Sequence, residues 1–546
     1  MVVNGFELPE AIPEGARNTT LFSYGRSLRA KGADDSEVLE GLNEANAKRC
    51  TNPLSAQEVN AIAQSVCTVA PGLSPEYAAL ATKERAIDIS RDRLRGINDK
   101  ELSRLFGSTY RDRLLYVPEA RGWYAFDGRR WVQPEHGGDM GAQRLMKEFS
   151  DRLNRAAMAT DDDKERASAL KAVARYNQRN DRARLLADCE SEMHAPVSEF
   201  DRDRMMFNCP NCTVDLRTGE PRPHRASDML TKVAGCDYDP QAGYAEWREF
   251  IVTTFDGDEE RAAFLQMAVG RALAGDTSLH RFYIANGPTR TGKSSTLEPI
   301  LAMFGDYGAS MQPDTLQEAK RGKGAASSDV ARLAGKRFVV CPELPARMRL
   351  DVAQMKQWTG GDTVTARYQF QGEFDFRPMF QLWINTNYLP DVTDPTLFAS
   401  DRCVVLPFDR RIPAERRDTG LRERMTEPAF LSSILSWAID GWRMAAVADG
   451  HMPDACRIAV EEYATDSDRM GEFIADECET GTCMREDGTR LYTRYKDWCE
   501  SNGYGALGRN NFYGELSRRD GIADNGAGRV DGKYTRHVFS GLAIRR

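Results

Sequence analysis

The stretch Phe282-Tyr-Ile-Ala-Asn-Gly287-Pro288-Thr289-Arg290-Thr291-Gly292-Lys293-Ser294-Ser295-Thr296-Leu297 decides the fold class. Its first four residues are an apolar run of strand length. Thr296, Leu297, Ile300 and Leu301 then continue at helical spacing. Between the two lies a complete G-x-x-x-x-G-K-S loop, in the strand–turn–helix setting that a phosphate-binding loop requires. The glycines let backbone N–H groups curl around phosphate oxygens at a helix N-terminus. Lys293 is placed to reach β- and γ-phosphate oxygens, and the Ser294 hydroxyl to ligate Mg2+. The expectation is an α/β core that binds ATP and Mg2+ through residues 287–295.

Working outward, strand- and helix-like segments alternate to about residue 410, the pattern of an α/β sheet. Phe338-Val-Val-Cys341 runs into Pro342-Glu343, an apolar strand ending in a carboxylate that could stand beside Mg2+ and the attacking water. With a proline where many such ATPases carry a first acid, Glu343 is expected to serve as base, as magnesium partner, or as both. A third strand, Phe380–Ile384, leads into Asn385-Thr-Asn387. An amide at that strand end can orient the lytic water or sense the γ-phosphate; Asn387 is the first choice and Asn385 the alternative. Arg402 precedes a further strand, Val404–Phe408. It reads either as a charge reaching a neighbouring subunit's γ-phosphate or as a salt bridge with Asp401.

The whole chain has 546 residues, with 41% hydrophobic, 9% aromatic and 29% charged, which excludes a mainly disordered protein and leaves room for three or four domains. No run reaches the roughly 20 apolar residues of a membrane span, and the start, MVVNGFELPE, lacks the basic and apolar regions of a signal peptide. A cytoplasmic protein is expected. The net charge of −8 argues against a chain coated in nucleic acid but permits a local basic channel. Twelve scattered Cys fit reduced thiols; Cys209-Pro-Asn-Cys212 has zinc-knuckle spacing without a second pair, so two ordinary thiols beside a turn are expected.

Three helical patterns fill residues 12–66, the last opening at Ser55 with Glu58 at capping-box spacing. Residues 114–131 read as a β-hairpin turned at Asp127-Gly128. The order of phosphate loop, Glu343, Lys356-x-x-Thr359-Gly-Gly-Asp362, Thr386-Asn387-x-x-Pro390, Arg402 and Pro407-Phe408 resembles the superfamily 3 helicases, within them the phage, plasmid and poxvirus primase-helicase branch. Phe207-Asn-Cys-Pro-Asn-Cys-Thr-Val-Asp215-Leu-x-Thr-Gly-Glu220 is similar to the segment before that helicase core. Residues 12–66 resemble the helical module that follows phage primase domains, and Leu491-Tyr492-x-x-Tyr495-x-x-Trp498 the winged-helix tail of the same proteins.

The resemblance implies an AAA+-like core at 241–412, a helical module at 1–70, a mixed pre-helicase domain at 71–240, a helical lid at 413–465 and a winged-helix-like tail at 466–546. It implies a ring, expected as a hexamer, that hydrolyses ATP and unwinds forked DNA while moving on a single strand. Catalysis would fall to Lys293, Glu343, Asn387 and, from the neighbouring subunit, Arg402. Between Glu343 and Asn387 the family places a channel hairpin. Here Lys356 and Arg367 are expected to hold phosphates, with Tyr368 or Phe370 stacking on bases or packing on the sheet. No clustered carboxylates for primer synthesis stand out, so a separate primase is an expected partner. An origin-binding initiator and a non-unwinding ATPase scaffold are the competing readings.

Overall fold

The computed structural model describes residues 9, 11–30, 33, 35–67, 98–133, 139–318, 328–345, 348–367, 372–392, 394–398, 400–411, 420–448 and 450–545. At its centre is a five-stranded sheet whose strands we number in chain order. They are β1 (Phe282–Asn286), β2 (Gly308–Ser310), β3 (Phe338–Cys341), β4 (Gln381–Thr386) and β5 (Cys403–Pro407). All neighbours are parallel and the order is β5-β1-β4-β3-β2. Every residue of β3, and all but the last of β1 and β5, is buried. Such unbroken apolar strands are what a parallel sheet covered on both faces demands. The fold is therefore mixed α/β around a parallel sheet.

Helix α1 (Lys293–Phe304) follows β1 directly, and α2 (Val352–Gly360), capped by the Asp351 side chain on Gln354 N–H, lies between β3 and β4. One core packs Phe264, Tyr283, Phe304, Phe338, Trp383, Val404 and Trp437. Tyr283 and Trp383 stack across β1 and β4, with ring centroids 4.4 Å apart. The segment before the sheet shares this core. Phe207, Val214 and Tyr238 belong to it, and the fully buried Arg337 guanidinium lies over the Tyr307 ring while donating to Met206 O. The division drawn at residue 240 thus runs through a continuous packing unit.

Residues 114–132 form a three-stranded antiparallel sheet. The Asp127-Gly128 turn joins its last two strands, and a second turn at Pro118–Ala120, closed by Arg121 in the left-handed region, joins the first two. Three helices, Arg17–Ala30, Asp35–Arg49 and Ala56–Cys67, pack near the N-terminus, and the Ser55–Glu58 capping box forms, with Ser55 N–H to Glu58 Oε2 at 2.8 Å. Asp162, in the acidic run 161–163, caps the helix Asp163–Val173 through two N–H groups. No described helix is long and apolar enough to cross a membrane.

Candidate nucleotide site

The loop between β1 and α1 turns tightly because two of its residues are glycine. A Cβ on Gly287 would lie 2.2 Å from Phe408 O, so only glycine permits the chain after β5 to cross there. Gly292 sits at φ 93, in the left-handed region, immediately before the first residue of α1. The loop therefore presents the N-terminus of a 12-residue helix, where unpaired N–H groups and the helix dipole favour an anion.

Lys293 is 6% exposed, and its ammonium is held by Gly287 O at 2.6 Å, Pro288 O at 2.8 Å and Asn387 Oδ1 at 2.9 Å. Burial lowers its pKa, opposed by the carboxylate of Glu343. Asn387 completes the link, its Nδ2 donating to Glu343 Oε1 at 2.5 Å. Lys293, Asn387 and Glu343 thus form one connected array drawn from the carboxyl ends of β1, β4 and β3. Open parallel sheets bind ligands at that end. Ser294 is exposed and accepts from Asn385 Nδ2 at 3.1 Å. Both amides weighed from the sequence are therefore used, Asn387 toward the lysine and acid, Asn385 toward the serine hydroxyl. Within the loop, the Thr291 hydroxyl donates to Pro288 O at 3.0 Å.

Arg402 lies elsewhere. β5 runs parallel to β1 with Cys403 opposite Phe282, so Arg402 stands at the amino end of the sheet, a strand length from the loop. Its guanidinium donates to Thr359 Oγ1 at 2.9 Å and to Lys356 O at 3.3 Å, in the last turns of α2. Among the described ion pairs none joins it to Asp401. The Lys356-x-x-Thr359 motif therefore anchors this arginine, a role the sequence reading missed because Thr359 and Arg402 are 43 positions apart.

The expected hairpin is present as Val364–Arg367 paired with Glu373–Phe376, with Arg367 exposed opposite Glu373. Its turn, with Tyr368 and Phe370, lies outside the described residues, as does the basic run Lys320-Arg321-Gly322-Lys323-Gly324, which the sequence offers as a second candidate contact to DNA. Lys356 was expected with Arg367 on this surface. It instead lies in α2 with its ammonium 2.7 Å from Asp394 and bonded to the Thr396 hydroxyl. Cys209 and Cys212 are buried free thiols in the sheet core, and His224 turns its ring to Asn208 Oδ1 and Thr213 Oγ1.

The sequence reading also missed two couplings around the site. Arg410, just past β5, donates to Thr253 O at 2.7 Å, and Thr254 packs against Gly292. Beyond Asn387, the Pro390 carbonyl accepts from the Tyr463 hydroxyl, and Asp391 pairs with Arg469 at 2.7 Å. The loop after β4 is thereby tied to the helix Asp454–Asp466 and to the first helix of the tail, Arg469–Glu477.

Four family models match. They are described as Primase C terminal 1 over residues 7–69, D5 N terminal like over 103–256, a family of unknown function over 285–402, and Poxvirus D5 protein-like over 465–519. A protein of Acanthamoeba polyphaga mimivirus named as a helicase, L207/L206, is 22% identical over 422 residues, 70% of this chain and 43% of that one. Another so named, 022R of Frog virus 3 (isolate Goorha), is 26% identical over 279 residues, 46% of this chain and 28% of its own. The chain thus spans less than half the length of these relatives. Among solved structures, the apo NrS-1 C-terminal region (305–718) aligns with a TM-score of 0.45 at 11% identity, over 81% of this chain and all of that one.

Proposed function

We propose, from the premise that this chain belongs to the D5-like, superfamily 3 family of primase-helicases, that it is a ring-forming, ATP-driven DNA helicase. The observation that carries the reading is the array of Lys293, Asn387, Glu343 and Ser294 at one end of a parallel sheet ordered 5-1-4-3-2. That order separates the loop strand β1 from the acid strand β3 by β4. The arrangement supports an AAA+-like core in which an amide from β4 stands between the lysine and the acid.

In this reading the loop N–H groups of residues 287–295 cradle the phosphates of ATP, and Lys293 exchanges its carbonyl partners for β- and γ-oxygens. Asn387 holds the γ-phosphate side of the site, and Glu343 accepts a proton from the attacking water. The oxygens present suit Mg2+, which takes one or two protein ligands beside phosphate and water. Ser294 Oγ is the direct candidate, oriented by Asn385, with Glu343 alongside. Bound there, the ion would neutralise charge building on the phosphoryl oxygens.

Arg402 cannot serve its own loop from the far end of β5, so any part it takes in hydrolysis would be on a neighbouring subunit; the arginine finger, and with it a closed ring of six subunits, is part of the proposal. Arg367 on the exposed hairpin is the proposed contact to single-stranded DNA. The tail supports a winged helix: helix 469–477, strand 478–487, helices 488–501 and 509–517, then strands closing a three-stranded sheet in which Val538–Ile544 is central. This favours origin or fork recognition as a companion reading, and the primase-related N-terminal module favours a separate primase as partner.

The test is ATP hydrolysis with and without single-stranded DNA. Wild type is expected to be stimulated by the strand, Lys293→Ala to be inactive though folded. Wild-type turnover in Lys293→Ala would remove the assignment.

A further inference from the structure

We propose that the tail hairpin Gly528–Val530/Lys533–Thr535 is a duplex-DNA contact, with Arg529, Lys533 and Arg536 on phosphates and Tyr534 between them toward the groove. The inference rests on the reading that the protein works on DNA, but it concerns residues other than those of the nucleotide loop.

The hairpin is built to project. Asp531 (φ 49) and Gly532 (φ 76) form a two-residue turn with both central residues left-handed, the type whose twist matches paired strands. Alternation then sorts the side chains. Thr535 is buried, its hydroxyl donating to Asp487 at 3.1 Å, and Gly528 packs against Val538, so the face holding 528 and 535 turns inward at the hairpin base, while Lys533, on that same face, is exposed at the tip beside the turn. Arg529 and Tyr534, directly opposite one another, take the outward face. Tyr534 is 71% exposed, whereas the neighbouring Tyr495, Trp498, Phe512 and Phe539 are in the tail core.

The charges separate in the same way. On the helix Arg509–Ser517 and just after it, every cation is occupied. Arg509 lies over the Tyr492 ring at 5.1 Å, Arg518 pairs with Glu515, and Arg519 forks Asp468. On the hairpin, Arg529, Lys533 and Arg536 are exposed and, among the described residues, have no hydrogen-bond or acidic side-chain partner. The one hairpin acid, Asp531, faces Arg490 at 3.5 Å. Unpaired cations release counterions when they meet phosphate, whereas cations already paired must first break a contact. A single exposed aromatic ring is too little apolar surface to anchor in a membrane but suits a groove or an exposed base edge. The hairpin is therefore assigned the DNA contact ahead of the helix.

The experiment measures binding of the 546-residue chain to a labelled blunt duplex, without nucleotide, across salt concentrations. Each phosphate contact contributes about 0.9 to the slope of log affinity against log salt. The triple variant Arg529→Ala/Lys533→Ala/Arg536→Ala should therefore flatten the slope by roughly 2 to 3. Between 50 and 200 mM salt the wild type should lose about 40-fold more affinity than the variant. Tyr534→Ala should weaken binding several-fold with the slope unchanged, because no charge is removed. Arg518→Ala should bind as wild type. The proposal is overturned if wild type does not bind duplex, if the triple variant keeps the wild-type slope, or if Arg518→Ala produces the loss. It is overturned equally if the triple variant loses only single-stranded DNA, or only anionic vesicles. Lys293→Ala separates the two readings, since it should lose hydrolysis and keep hairpin-dependent duplex binding.

Discussion

Arg402→Ala tests chemistry and assembly together. From Arg402 to the loop end of β1 is a run of five strand residues, about 16 Å at roughly 3.3 Å each, more than the side chain spans. The arginine therefore acts on a neighbour or not at all. Its removal also has a local consequence that can be set out in advance. The bonds to Thr359 Oγ1 and Lys356 O at the end of α2 are lost, together with a cation at a helix C-terminus. For a half-buried group these contribute about 1 to 3 kcal/mol, so the variant should be less stable yet folded. The effect on turnover should be far larger, a loss of 10³-fold or more, equivalent to about 4 kcal/mol of transition-state stabilisation. The assay is steady-state ATPase beside nucleotide binding. Binding should persist while hydrolysis disappears. Mixing equal amounts of Arg402→Ala and Lys293→Ala subunits should then restore activity, because about a quarter of the head-to-tail interfaces would join an intact pocket to an intact finger. A fully active Arg402→Ala protein, or no recovery under demonstrated subunit exchange, refutes the trans arrangement.

Glu343→Gln should retain ATP binding and lose hydrolysis, since it keeps a bond to Asn387 but removes the base; loss of binding instead would show that the acid serves the metal. Arg367→Ala should weaken single-stranded DNA binding and reduce its salt slope by about 0.7, and Lys356→Ala should do so much less because its ammonium is held by Asp394. Asp468 supplies a pH signature. Burial pushes its pKa up, but the Arg519 fork and the Gly471 N–H more than offset this and hold it below the ordinary carboxylate value. A depressed carboxylate contributes stability above its unfolded pKa of about 3.9, lost as pH falls through the lower folded value. Unfolding of the tail, followed by Trp498 fluorescence, should therefore become easier below about pH 4, and Asp468→Asn should remove that dependence; an unaltered acid limb would exclude the pair as its source.

Much of the sheet was legible because buried parallel strands read as short apolar runs. Phe282–Ala285 and Phe338–Cys341 differ from the observed strands by one residue at most. Their order was not legible, since nothing local in β3 records that β4 will insert between it and β1. The hairpin reading of 114–131 captured the Asp127-Gly128 turn but not the Pro118–Ala120 turn. That turn is closed by a left-handed Arg121, a conformation usually left to glycine, and Gly122 comes one position later, as the first residue of the next strand. At the site, strand-end residues were readable from position alone, and Lys293, Glu343 and Asn387 do meet. Pairings between distant segments were not. Lys356 meets an acid 38 positions away, and Arg402 is held by Thr359 in place of its chain neighbour Asp401. The shared core of Phe207 and Trp247 was hidden for the same reason, because packing across 40 residues leaves no periodic trace.

The central claim, that hydrolysis at the 287–295 loop drives strand separation, is tested most directly by strand displacement on forked DNA with a labelled strand. Wild type should release that strand with ATP and Mg2+, and not with a non-hydrolysable ATP analogue. Lys293→Ala and Glu343→Gln should release none while still binding the fork. ATP hydrolysis by wild type without any displacement on forks of either polarity would contradict the helicase reading and leave a DNA-bound ATPase that does not unwind.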